Sequence, residues 1–115
     1  DVYKRQASSG PIEKINLNLT KVDLIQFFSA DRIFTCYQIA KWKPDPAIYL
    51  HAAKKMGFRP EDCVVIEDST YGAQASTAGG VDVLIYANEQ KKKNFSVEGQ
   101  IYFDKMEELN NILYY

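Results

Sequence analysis

Apolar and polar positions alternate along this chain between two periods, one of a helix and one of a strand. Pro11 suits a first helical position with Gly10 before it as cap, and Ile12, Ile15 and Leu19 then recur at i, i+3 and i+7, so a helix is predicted over 11–19. Leu24 to Phe28 reads as a short apolar turn, and Arg32 to Tyr37 has the β-branched and aromatic content of a strand. Asp45 is the expected N-cap and Pro46 the first residue of the next helix, whose stripe of Tyr49, Leu50, Ala53 and Met56 ends at Gly57.

Cys63 to Ile66 reads as a buried strand, Ser69 to Ala78 as a helix of small residues closed by Gly79-Gly80, and Val83 to Tyr86 as a further strand. A polar loop is expected over 87–98, an edge strand at Tyr102-Phe103, and a last helix capped by an Asp104/Glu107 box and bearing Met106, Leu109 and Leu113. Helix and strand alternate throughout, which predicts an α/β fold: parallel strands with helices on both faces, three layers in all. Ligands in such sheets bind beyond the carboxyl ends of the strands.

At 115 residues, with 46% hydrophobic and 25% charged positions, the chain suits one ordinary globular domain. A net charge of -1 argues against a nucleic-acid or anionic-lipid face, and Lys91-Lys92-Lys93 is read as a solvated loop. No apolar run reaches the ~18 residues of a spanning helix, so neither a membrane nor a nucleic acid is expected as partner and a cytoplasmic location is. Cys36 and Cys63 are expected as small buried strand residues of a reducing compartment rather than as a disulfide or zinc pair, and His51 as a half-exposed helix residue. The opening Asp1 to Gln6 has neither an initiator methionine nor a signal pattern and resembles translated adapter sequence, so 1–6 is read as a non-native leader and the natural chain is expected to extend upstream.

Candidate chemistry gathers at strand ends. Val64-Val65-Ile66 runs into the adjacent carboxylates Glu67 and Asp68 where the chain turns toward Ser69 and Gly72. Crowded like charges call for a neutralising cation or base, although capping by Asp68 with a solvated Glu67 would explain them as well. Ser8, Ser9 and Gly10 open a helix, where hydroxyls and free amides favour an anion, although the same residues make an ordinary capping turn. Lys43 could supply a point charge to a phosphate or be a surface lysine. Taken together, hydroxyl, ammonium and acid pair are what phosphoryl transfer requires, and two carboxylates suit magnesium better than zinc.

Ser8, Lys43 within Trp42-Lys43-Pro44-Asp45-Pro46, and Glu67-Asp68 within VVIEDSTYGAQ resemble, in order and spacing, the second, third and fourth motifs of the haloacid dehalogenase-like superfamily, in its sugar-phosphate phosphatase and β-phosphoglucomutase branch. The resemblance implies a Rossmann-like core and a small phosphorylated metabolite as substrate. It implies that Ser8 bonds the phosphoryl group with help from the amides of Ser9 and Gly10, that Lys43 ties nucleophile to phosphate, that Glu67 and Asp68 hold magnesium, and that Ser69 and Gly72 shape the turn beyond. The family's nucleophile is the first aspartate of a D-x-D motif on a first, central strand, and no Asp-x-Asp occurs in these 115 residues. Residues 7–115 are therefore read as the C-terminal part of such a core, partial, without first strand and cap domain, whose partner is the missing N-terminal part of its own chain. A phosphosugar mutase is the near alternative; a phospho-receiver signalling domain and a non-catalytic binding protein are the distant ones.

Overall fold

In the computed structural model, which describes residues 4–95 and 100–114, five short strands run parallel in two separate sheets. β1 (Gln6–Ser8) pairs with β2 (Ile33–Thr35), aligning Ala7 with Phe34 and Ser8 with Thr35. β3 (Val64–Glu67) pairs with β4 (Asp82–Tyr86), which pairs in turn with β5 (Ile101–Phe103), so β4 is the interior strand of the second sheet. Gln6, read from sequence as leader, is the first residue of β1. No ladder joins β1 to β3. The two sheets, with helices packed on them, are a partial Rossmann-like core, interrupted between β1 and β3.

The helices follow their punctuation with instructive shifts. α1 (Ile12–Lys21) starts one residue later than read, with Pro11 at the cap. The strand expected over 32–37 stops at Thr35, because Thr35 and Gln38 form a capping box, the Thr35 amide donating to Gln38 Oε1 at 3.2 Å, and α2 (Cys36–Ile39) begins there. Cys36 is therefore a buried helix residue and not a strand residue; Cys63 lies just ahead of β3. α3 (Ala47–Met56) takes Pro46 as its cap, while Asp45 Oδ1 accepts from the Ala47 amide at 2.9 Å, one position outside its expected place. Gly57, at φ 81°, ends the helix in the left-handed region as glycine can at little cost.

α4 (Thr70–Ala78) is capped by Ser69, whose hydroxyl accepts from the Gly72 amide at 3.0 Å. Within the expected polar loop, Asn88 caps a short α5 (Glu89–Lys92) by accepting from the Lys91 amide, so two of the three lysines are helical, though exposed; residues 96–98 of that loop lie outside the described residues. α6 (Glu108–Tyr114) starts later than the Asp104/Glu107 box implies and leaves Met106 exposed.

Packing unites the two sheets. Phe34, Cys36, Ile48, Tyr49, Ala52, Ala75 and Val81 form one buried cluster beneath α3 and α4, flanked by Ala7 of β1 and Val65 of β3. Val83 and Ile85 of β4 meet Ala73 of α4 in a second. Leu84 and Ile101 turn to the opposite face, bordered by Ile112 and Leu113 of α6. There Val64 and Ile66 remain 43% and 45% exposed although they belong to the most apolar strand, since β3 has a partner on one side only. Ile85, by contrast, is fully buried. Ile85→Ala is expected to cost about 3 kcal/mol of unfolding free energy, and Val64→Ala under about 1 kcal/mol. Urea unfolding of the two variants checks this, and equal losses would contradict the layering.

Candidate active site

Because the strands are parallel, Ser8, Thr35 and Glu67 end β1, β2 and β3 on one rim. Lys43 comes to that rim from a turn closed by the Asp45 amide donating to the Trp42 carbonyl at 3.0 Å. Its ammonium donates to Glu67 Oε2 at 2.9 Å and to the Ala7 carbonyl at 3.4 Å, so one side chain spans the unpaired edges of the two sheets. Lys43 and Glu67 are both largely buried, with side chains 13% and 10% exposed.

Tyr49 of α3 completes the arrangement. Its hydroxyl donates to the same Glu67 Oε2 at 2.6 Å, and its ring lies 5.1 Å from the Lys43 ammonium, within cation–π range. The reading of Tyr49 as an apolar stripe member accounts for its ring but misses its hydroxyl. The available signal was chemical: a buried tyrosine oxygen needs a partner. The other oxygen, Oε1, accepts from the amides of Asp68 at 2.9 Å and Ser69 at 3.2 Å and from the Ser69 hydroxyl at 3.2 Å.

Burial alone would raise the Glu67 pKa. The Tyr49 hydrogen bond and the Lys43 charge outweigh it and hold the carboxyl at about 2, below its ordinary 4.5. Burial, then the adjacent carboxylate, pushes the Tyr49 hydroxyl far above its ordinary range, so it stays protonated and a donor. Gly72 is shaped by the same contact, for a Cβ at that position would overlap the Glu67 carboxylate.

Ser8 lies at the end of β1, one residue from the carbonyl that Lys43 touches, and its Oγ accepts from the Gly10 amide at 3.1 Å. That amide, expected to face a ligand, is turned inward onto Ser8, which retains its own proton to donate. The Ser9 hydroxyl lies 3.7 Å from Cys36 Sγ. Lys43, Glu67 and the Ser69–Gly72 turn are thus joined through short contacts that reach β1 at Ala7, the residue before Ser8, with Ser9 and Gly10 on the loop after β1. Asp68 follows Glu67 at the surface; its amide donates to Glu67, while its carboxylate makes no hydrogen bond or ion pair among the described residues.

Those residues hold no group of three or more His, Cys, Asp or Glu side chains able to enclose a metal. Both Glu67 oxygens are engaged within the protein, and the carboxylate of Asp68 is the one left open.

The layered parallel strands and the polar cluster at their carboxyl rim define a Rossmann-like α/β core. Residues 7–80 match the family model for haloacid dehalogenase-like hydrolases, and the chain belongs to that family. It is 36% identical over 86 residues to the 6-phosphogluconate phosphatase of Escherichia coli (strain K12), covering 75% of this chain and 38% of that protein. It is 30% identical over 109 residues to the phosphorylated carbohydrates phosphatase of Thermotoga maritima, covering 93% and 50%. A solved Thermotoga maritima structure provisionally named β-phosphoglucomutase superposes with a TM-score of 0.76 at 28% identity, over 93% of this chain and 50% of that one. The chain spans half the length or less of these relatives. Among the described residues no helix is long and apolar enough to cross a membrane.

A carboxyl held at about 2 when folded and 4.5 when free contributes stability that is complete above pH 4.5 and is lost as pH falls toward 2. Melting temperatures of the chain are expected to fall across that window. In Glu67→Gln this component of the pH dependence disappears while stability at neutral pH drops by about 3 kcal/mol, because Lys43 is left buried and unpaired. An unaltered acid slope in the variant would contradict the assignment.

Proposed function

We propose that this chain is the C-terminal part of the catalytic core of a phosphatase acting on small phosphorylated carbohydrates. The observation that carries the reading is the ammonium of Lys43, fixed between the end of β1 and Glu67 beside Ser8. A phosphoryl group seated there would receive a hydrogen bond from the Ser8 hydroxyl, with the Ser9 amide beside it, and charge neutralisation from Lys43. The nucleophile is a carboxylate of an Asp-x-Asp motif on a strand outside these 115 residues. It forms a new P–O bond as the ester P–O bond breaks and the alcohol departs with a proton taken from solvent; water then attacks the aspartyl-phosphate, returning a proton to solvent, releasing inorganic phosphate and restoring the carboxylate. A divalent cation, magnesium by the hardness of oxygen ligands, supplies charge neutralisation when bound, with Asp68 as the ligand from this chain.

The substrate class follows from relatives named for 6-phosphogluconate, phosphorylated carbohydrates, fructose 1-phosphate and hexitol phosphates. A phosphosugar mutase is the second reading, favoured by the likeness to the provisional β-phosphoglucomutase. The remaining N-terminal part of the chain is the proposed partner, and a cytoplasmic setting suits such metabolites.

The test joins the chain to its natural upstream segment. The longer product is expected to release phosphate from 6-phosphogluconate or fructose 1-phosphate, Lys43→Ala to lower kcat by at least about 100-fold, and the 115-residue chain alone to release none. Phosphate release by the short chain above its own Lys43→Ala variant would contradict the proposal. Interconversion of glucose 1- and 6-phosphates without phosphate release would favour the mutase.

A further inference from the structure

Between the end of β2 and Lys43 stand two aromatic residues that neither the core nor the phosphoryl site uses. α2 is anchored by Cys36, fully buried, and by Ile39, three residues on, which packs on the same cluster. That spacing turns both toward the interior and leaves Tyr37, between them, on the outer side, 59% exposed. Ala40 ends α2 in the left-handed region, at φ 54°, and the chain turns back. Trp42 then meets Tyr37 with ring centroids 5.3 Å apart and planes at 83°, and is itself 44% exposed. In an edge-to-face pair each ring keeps at least one face that the other does not cover. Single exposed hydrophobic side chains are ordinary, but two joined rings open to solvent beside a charged site form a surface that fits a ligand.

The pair belongs to the same rim as Lys43. Trp42 precedes the lysine, and its carbonyl accepts the Asp45 amide at 3.0 Å in the turn that presents it. On the other flank, Cys36 Sγ at the start of α2 lies 3.7 Å from the Ser9 hydroxyl, on the loop that follows Ser8. Lys43 sends its charge inward to Glu67, while Trp42, one residue away, keeps an apolar ring at the surface. A ligand suited to both has an anionic end and a body of C–H groups edged by hydroxyls. C–H groups that cover an indole face leave water together with it, and the hydroxyls at the edge keep their own hydration. A carbohydrate phosphate has that composition, whereas inorganic phosphate and a short acyl phosphate do not.

We propose that Trp42, braced by Tyr37, is a specificity-determining residue: its indole face receives the carbon chain of a phosphorylated carbohydrate whose phosphate lies at Ser8 and Lys43. The proposal rests on the phosphatase reading for the phosphate end alone. Tyr37 holds the indole in one orientation, and the turn between Trp42 and Asp45 ties its backbone to that of the lysine.

The test uses the chain joined to its natural upstream segment, with 6-phosphogluconate as the carbohydrate probe and acetyl phosphate as the probe without a carbohydrate. In Trp42→Ala the ratio of kcat/KM for 6-phosphogluconate to that for acetyl phosphate is expected to fall at least about tenfold, through a higher KM for the former; Trp42→Phe, which keeps a ring, should recover most of it, and Tyr37→Ala should lower it about threefold. Because the ratio is taken within one variant, a smaller folded fraction cancels. Equal losses on the two substrates would show that the ring only holds the turn, and would overturn the proposal, as would an unchanged ratio. The second arm needs no turnover. With a chelator present, calorimetry should show Trp42→Ala weakening the binding of 6-phosphogluconate about tenfold more than that of inorganic phosphate. Equal weakening of the two, or no binding of 6-phosphogluconate by the unsubstituted protein, would overturn the proposal. A protein that binds 6-phosphogluconate through Trp42 but releases no phosphate would end the phosphatase reading and leave this one standing. Phosphate release with an unchanged ratio would do the reverse.

Discussion

One ammonium placed between the two sheets organises this molecule. Lys43 touches the end of β1 and the end of β3, two edges that share no backbone ladder. Removing a lysine and a glutamate from water is costly, and their attraction compensates only when further hydrogen bonds complete the geometry. Here they do: Tyr49 and the β3–α4 turn supply every remaining bond that the carboxylate can take. Lys43 itself gains the Ala7 carbonyl and the face of the Tyr49 ring. The same set of contacts that compensates the buried ion pair also fixes a positive charge at the end of β1, next to Ser8 in the chain.

Local sequence around that pair serves it at each step. Ser69 faces two ways, donating to Glu67 and accepting from the Gly72 amide, and so couples the carboxylate to the start of α4. Gly72 is required by closeness to the carboxylate rather than by its backbone angle. The small residues of α4, with Ala73, Ala75 and Ser76 fully buried, let that helix sit close against β3 and β4. Burial beneath α3 and α4 is thus what keeps water from Lys43 and Glu67, and what gives their interaction its strength.

The alternation of helix and strand was legible because caps and glycines punctuate it: Ser69, Gly57 and Gly79-Gly80 stand where the elements begin and end. The interruption of the sheet between β1 and β3 was also legible, though through family resemblance rather than through periodicity, which does not report strand order. Other features were hidden by competition between signals. Arg32 to Tyr37 has strand composition throughout, but the side-chain bond between Thr35 and Gln38 ends the strand early. Tyr49 fitted an apolar stripe so well that its hydroxyl went unassigned. The difference between Glu67 and Asp68 depends on which carboxylate faces α3 after the strand ends, and that direction is set by tertiary packing that two adjacent letters do not encode.

The claim on which all of this depends is that Lys43 and Glu67 act as one unit inside the fold. A double-mutant cycle on unfolding free energy, with Lys43→Met, Glu67→Gln and the pair, measures it directly. The account predicts that the double variant loses far less than the sum of the singles, a coupling of about 2 kcal/mol or more. Additive losses would mean that the two side chains do not meet and would contradict it.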